Sequence, residues 1–265
     1  RAWIKIGGQT FQTSEIAKLA LLIYVSSVIA NNYHTWFRDR NALLRIFGSI
    51  GLVVGVMAAQ QDLGGACVVG GTAVLLLFLS GLSLRMLAVV TVGGGAAIGA
   101  LIFSSARRYA RWTAFLHLDE TKQTTGYQVW QSLVGLGEGG PWGRGAGAGM
   151  SKWGFLPLPH SDFVFSVVGE ELGFIGAIAV LLCFATLLFS GFHLAAIAKD
   201  PFEKVLGLGI SSWFCLQGLI NLGGVTGVLP VTGLTLPFVS FGGSSAISCL
   251  AGLGLVVGIG RRSHR

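Results

Sequence analysis

The stretch LPLPHSDFVFSVVGEELGFIG, Leu156–Gly176, decides how the chain is read. It holds His160, Asp162 and the adjacent Glu170 and Glu171 in a 265-residue protein that has only 11 acidic residues. From Leu172 to Ala198 no Asp, Glu, Lys or Arg occurs. About 20 apolar residues suffice to cross a bilayer, so this run reads as a membrane helix entered from a polar loop. Pro157 and Pro159 predict an ordered turn around Asp162 rather than a helix face.

Similar runs recur on either side. Apolar segments at 14–30, 46–59, 65–79, 86–105, 172–198, 205–222 and 246–260 predict seven spans, the first capped by Ser14. The chain is 52% hydrophobic and 11% charged, against about 25% charged in soluble domains. The expected fold is therefore an all-α, polytopic transmembrane helical bundle, forming one domain over 1–265 with a large polar loop at 106–171. A soluble protein with several buried helices is the alternative set aside. Cys67, Cys183, Cys215 and Cys249 lie in apolar runs without paired spacing, so they read as small core residues rather than disulfides or metal ligands. The first residue is Arg1, which leads to the expectation of a piece lacking its first helices.

Charge orients the bundle. Arg38, Arg40, Arg45, Arg85, Lys199, Lys204, Arg261, Arg262 and Arg265 collect on one side if the spans alternate. The short connections on the other side hold no Lys or Arg. The positive-inside rule puts the first group in the cytoplasm and the 106–171 loop outside the cell. The net charge of +7 is thus assigned to cytoplasmic loops, not to nucleic acid.

The scarcity of acids permits an elimination. Asp39, Asp200 and Glu203 fall in charged turns, and Asp119, Glu120 and Glu138 in the long loop, where solvated charge is the simpler reading. Glu15, Asp62, Asp162, Glu170 and Glu171 sit at membrane borders, where an unpaired acid is costly and functional roles concentrate. A structural pair of Glu15 with Lys18, three residues on, is the competing reading for the first of these. The segment GLGEGGPWGRGAGAGMSKWG, 135–154, lacks the ending of a nucleotide-type phosphate loop. Its glycines still allow backbone amides to approach an anion, with Arg144 and Lys152 to meet a diphosphate, while a flexible loop is the alternative. The uncharged loop VLPVTGLTLPFVSFGGSSA, 228–246, must line a cavity or be buried in protein, which predicts a specific re-entrant shape. Gln217 and Asn221 are expected to face the bundle interior.

Taken together, AWIKIGG, FQTSEIAKLAL, QQDLGGA, GYQVWQSLVGLGEGGPWGRGAGAGMSKWGFLP, PHSDFVFSVVGEELGFIGA and NLGGVTGVLPVTGLTLPFVSFGGSSA resemble the SEDS family of bacterial membrane proteins, which includes FtsW, RodA and SpoVE. The Lys152-Trp153-Gly154 region leans toward FtsW. The resemblance implies a ten-helix fold, of which this chain would carry about seven spans. It also implies a peptidoglycan glycosyltransferase that polymerises lipid II at the outer face of the bacterial inner membrane during division or elongation. The implied partners are a class B penicillin-binding protein, the transpeptidase, and other divisome or elongasome membrane proteins. The family's essential loop aspartate corresponds to Asp162, its fourth-helix lysine to Lys18, and its GEELG glutamates to Glu170 and Glu171. Two departures stand beside these: Gln61 where proline often precedes the aspartate of that motif, and Leu158 where an acid often precedes the histidine.

On this reading Asp162 is the catalytic base, and Lys18, Arg144, Lys152, His160, Glu170, Glu171 and Asp62 form the substrate-binding set. A divalent cation such as Mg2+ at Asp162 is left open, since the sequence displays no ligand cluster. Two other classes remain: a lipid II flippase, which calls for charges spaced through the membrane interior, and a non-catalytic scaffold for the penicillin-binding protein. Apart from the pair Glu15 and Lys18, such spaced charges are not evident.

Overall fold

The computed structural model describes residues 3–6, 9–151, 156–157 and 160–263. Among them a short hairpin, β1 (Trp3–Ile6) and β2 (Gln9–Gln12), precedes helices α1 (Thr13–Ala30), α2 (Arg40–Ala59), α3 (Leu63–Leu79) and α4 (Leu84–Phe103). The short helices α5 (Ala106–Leu116), α6 (Leu118–Thr121) and α7 (Tyr127–Glu138) follow, and then the long α8 (Val164–Ile197), α9 (Pro201–Val225) and α10 (Gly243–Ser263). Six of these helices are long and apolar enough to cross a membrane, and the 17-residue α3 is the shorter apolar seventh. The chain is a multi-pass, all-helical membrane protein, as its hydropathy predicts.

The local differences have physical causes. The hairpin, paired Trp3 with Gln12 and Ile6 with Gln9, falls where the sequence reads only as mixed polar chain. Helix α1 starts at Thr13, with Gln12 rather than Ser14 in the cap position. Helix α2 begins six residues before its apolar run, because Asp39 accepts the amide of Asn41 at 2.9 Å and so caps a polar first turn. The loop assigned to 106–171 is folded for much of its length into α5, α6, α7 and the first turns of α8. Of the cysteines, all free, Cys249 is buried as expected and Cys183 is exposed.

The chain divides into two compact units. The first comprises Arg1–Gly95, Leu187–Leu216 and Gly243–Arg265. Within it α1 packs on α2 and α10, and α2 on α3. Trp36, fully buried, donates its indole N–H to the Ser80 carbonyl at 3.1 Å. Helices meet at small residues: a Cβ at Gly209 would stand 3.2 Å from Leu22, and one at Gly252 would stand 3.1 Å from Phe214.

The second unit comprises Ala96–Thr186 and Gln217–Gly242. Its core gathers Leu156, Phe163, Phe165, Ala177, Val225 and Leu236. Two hydroxyls tie its helices together: Ser132 of α7 donates to the Val225 carbonyl at 2.8 Å, and Ser166 of α8 donates to the Ser132 carbonyl at 2.8 Å.

Candidate functional site

Asp162 lies two residues before α8, in the second unit. The amide nitrogen of Asn221, on α9, donates to the Asp162 carbonyl at 2.9 Å and to the Leu234 carbonyl at 2.6 Å. One side chain thus fastens both the aspartate turn and the 228–246 loop. Gln217, one helical turn earlier on α9, holds the same loop through the Thr235 carbonyl at 3.0 Å. The two residues are buried, as expected of interior polar groups. His160 is exposed, and its carbonyl accepts the amide of Phe241 at 2.9 Å, closing the loop from its far end.

The Asp162 carboxyl is half-buried. Burial holds it above the ordinary aspartate range, and a hydrogen bond from the Ser161 side chain offsets part of that shift. Asp162, Asn221, Thr232 and Gly233 share the wall of a cavity of about 10 Å³, room for about one water. The Asn221 Oδ1 is buried without a hydrogen-bond partner. Among the described residues no three His, Cys, Asp or Glu side chains converge as a metal site. One carboxylate and one amide oxygen fit a Mg2+ ion only if water and substrate phosphate complete its shell, which is a common arrangement for that ion.

A second cluster is built around a break in α8. Gly173 has φ 68° and ψ −165°, a conformation that only glycine adopts readily, and the helix is interrupted there. In an unbroken helix the carbonyls of Glu170 and Glu171 would accept from Phe174 and Ile175. Instead they accept from the amides of Arg144 and Gly145, both at 3.0 Å. The amides of Phe174 and Ile175 donate to the carbonyls of Gly140 and Pro141, at 2.9 and 3.3 Å. The glycine segment thus crosses the break and satisfies these four backbone groups. The approach leaves no space for side chains. A Cβ at Gly173 would lie 2.7 Å from the Pro141 carbonyl oxygen, and one at Gly143 would overlap the Glu171 carbonyl.

The same segment does bind anions, and they are the protein's own. Glu170, fully buried, accepts the amides of Met150 at 2.6 Å and Ser151 at 3.0 Å. Glu171 accepts the amide of Gly147 at 2.9 Å. Arg144 lies 3.1 Å from Glu138 and 3.7 Å from Glu170, with 36% of its side chain exposed. Glu138, read from sequence as a solvated charge, is therefore an ion-pair partner. Only its electrostatic link to Arg144, six residues on within the same glycine segment, could have signalled that role. Lys152 lies outside the described residues.

The remaining candidates belong to the first unit. Lys18 and Glu15 form a buried pair at 2.7 Å, and the Lys18 ammonium lies 5.1 Å from the centre of the Trp213 ring. They form the structural pair that stands as the competing reading for Glu15 in the sequence, while the role of Trp213 has no sequence signal. Asp62 caps α3 by accepting the Gly65 amide at 2.8 Å and receives Gln12 Nε2 at 3.4 Å. The structure thus brings Asp162 together with Asn221, Glu170 with Arg144 and Glu138, and Glu171 with the Gly147 amide.

Comparison with known proteins covers the whole chain. The family model for FtsW, RodA and SpoVE, described as "Cell cycle protein", matches residues 1–265. The chain is 34% identical over 264 residues to "Stage V sporulation protein E" of Bacillus subtilis, covering 72% of that protein. It is 37% identical over 266 residues to "Probable peptidoglycan glycosyltransferase FtsW" of Geobacter metallireducens, covering 69% of it. Two solved structures align over the whole of this chain. One, from a peptidoglycan synthase complex that coordinates polymerization and crosslinking, has 31% identity and TM-score 0.79, with 74% of its chain covered. The other, the rod shape determining protein RodA of Thermus thermophilus, has 30% identity and TM-score 0.67, with 70% covered.

Proposed function

The chain belongs to the FtsW/RodA/SpoVE family of cell cycle proteins, and on that premise we propose that it is a peptidoglycan glycosyltransferase with Asp162 as its catalytic base. The match over the whole chain carries the activity. The support for the base is local: a carboxyl at the mouth of a membrane helix, fixed through its own backbone by Asn221 and only half-exposed.

The reaction requires an acceptor sugar hydroxyl to attack the anomeric carbon of a lipid-linked donor. The Asp162 carboxylate takes the hydroxyl proton as the new glycosidic C–O bond forms. The bond from the anomeric carbon to the diphosphate breaks, and the polyprenyl diphosphate departs with the electron pair. Partial desolvation keeps the carboxylate basic enough for this step. Arg144 is the cation that we assign to the diphosphate in this unit: its part-exposed guanidinium, which meets Glu138 through Nη1 at 3.1 Å, can exchange that carboxylate for a phosphate. Exposed His160 stands two residues from the base and is assigned to the substrate sugars. A divalent ion completed by phosphate at Asp162 would add charge stabilisation to the leaving group. Lys18 and Asp62 hold their own unit together, as a buried pair and a helix cap, and we give them no step.

We place the 106–171 segment on the extracytoplasmic face by the distribution of basic residues. We also propose that the chain works in a synthase complex with a crosslinking partner of the class B penicillin-binding type, following its likeness to the complex structure.

The test is polymerisation of labelled lipid II by the purified protein with its crosslinking partner, comparing wild type with Asp162→Asn. Glycan from wild type and none from the variant is expected. Undiminished polymer from the variant removes Asp162 as the base. Absence of polymer from both, with labelled lipid crossing the vesicle membrane, favours a transporter.

A further inference from the structure

Helix α5 starts three residues after α4 ends, and its composition suits neither a span nor a solvated surface. Its sequence ARRYARWTAFL contains three arginines, three aromatic residues and no acid. Helix α4 is a 20-residue apolar helix, long enough to cross a membrane, on which no described side chain is buried, so a crossing that it makes would end near Phe103. The link Ser104–Ser105 gives α5 a reach of about 10 Å from that end. Two contacts fold it back further. Arg108 donates from Nη1 to the Leu101 carbonyl of α4 at 2.9 Å, and the Tyr109 ring lies 5.8 Å from that of Phe103.

The helix also presents an apolar stripe that stays exposed among the described residues. Tyr109, Trp112 and Leu116, spaced three and four apart, share one side and are 47%, 37% and 58% exposed. Phe103 continues the stripe at 72% exposed, whereas Ala114 on another side is buried. Arg111 is exposed as well. Rings with a polar edge favour the headgroup layer, where arginine can meet lipid phosphodiesters. Continuity with the end of a lipid-facing span selects a bilayer leaflet as the occupant, and three cations without an acid select anionic lipid.

We propose that α5 is an interfacial anchor, with Tyr109, Trp112 and Leu116 set into the headgroup boundary of one leaflet and Arg111 bound to anionic phospholipid. The anchor is independent of the glycosyl-transfer chemistry and would hold the segment 106–138 close to the membrane surface.

The test uses the whole protein in nanodiscs of phosphatidylcholine, with or without one part in three phosphatidylglycerol. The difference in fluorescence between wild type and Trp112→Phe isolates Trp112. Quenching of that component by phospholipid brominated near the glycerol end of its acyl chains, and not by aqueous acrylamide, is expected. Amide exchange across 106–116 is expected to slow about fivefold with phosphatidylglycerol, the factor that one basic residue gains at an anionic surface. Arg111→Gln should remove that slowing and leave the Trp112 depth unchanged. Acrylamide quenching without bromolipid quenching overturns the anchor. Shallow quenching with no phosphatidylglycerol effect, or protection that appears only with the crosslinking partner, overturns the anionic-lipid assignment.

Discussion

Replacing Gly173 with alanine tests the helix break and the loop that bridges it. The four bridging backbone bonds have two possible fates in the variant. If the break persists, an L-residue must adopt φ 68° and ψ −165°, at about 1–3 kcal/mol, with its Cβ 2.7 Å from the Pro141 carbonyl oxygen. If α8 instead straightens, Glu170 and Glu171 regain two helical bonds while four bridging bonds are lost. The net loss of two, at about 0.5–1.5 kcal/mol each, is offset by about 1 kcal/mol of alanine helix propensity. Straightening also frees the 140–151 segment, and the buried Glu170 carboxylate stands to lose the amides of Met150 and Ser151. The first course predicts a loss of about 1–3 kcal/mol plus the cost of relieving the clash, and the second a loss of about 0–2 kcal/mol plus that of stranding the Glu170 carboxylate. Thermal unfolding in detergent reads the total, and amide exchange at Arg144 and Gly145 separates the two courses. Gly94→Ala is the matched control: nothing lies within 4 Å of its Cβ, so it should be neutral or stabilising by about 0.5–1 kcal/mol. Equal melting temperatures for the two variants, with unchanged protection at Arg144 and Gly145, would refute the clamp.

Three further outcomes follow from the same geometry. The folded-state pKa of Asp162 is raised, so its favourable contribution to stability is complete below the ordinary aspartate value and is lost as pH rises through the folded value. At neutral pH the ionised group is therefore a cost: Asp162→Asn should melt no lower than wild type while losing about 10²–10⁴-fold in rate. The acid limb of the wild-type rate profile should also lie above the ordinary carboxylate range, and a limb within that range counts against a desolvated base. Lys18→Met should cost about 3–5 kcal/mol by leaving Glu15 buried and unpaired, and adding Glu15→Gln should restore most of it; a simple sum of the two effects in a double-mutant cycle argues against the pair. Asn221→Ala should cost about 1–3 kcal/mol for each carbonyl that it strands and should lower kcat with Asp162 still present, whereas unchanged turnover detaches Asn221 from the site.

The spans were legible in the sequence because hydropathy depends on one physical term, the cost of placing polar groups in hydrocarbon. The polar first turn of α2 and the early start of α8 at Val164 were not, since charge ends an apolar run before it ends a helix. Asp39 signals the first of these in retrospect. The hairpin and helices α5 to α7 were hidden by composition that reads as loop. At the site, Asn221 and Gln217 were recognisable as interior groups because an amide inside a membrane needs partners. Their shared role in fastening the 228–246 loop depends on carbonyl positions that no side chain announces. The glycine segment shows this limit most clearly. Its glycines read equally as a flexible loop or as a cradle for a foreign anion. What decides between them is a backbone exchange with residues some 30 positions away and two glutamates that occupy the amides.

The interruption at Gly173 also acts as a depth gauge. Unbroken, the 34 residues of α8 would extend about 51 Å, well beyond the hydrocarbon thickness of about 30 Å. The break divides them into a leading piece of about 14 Å and a trailing piece of about 36 Å, and only the second has the length of a crossing. Glu170 and Glu171 fall on the leading piece, and we infer that the bend keeps both acids out of hydrocarbon while leaving them covalently continuous with the span. On that inference the position of one glycine sets how far above the oily layer the Asp162 turn stands, and with it the height at which the proposed lipid-tethered sugar would have to present its reacting carbon.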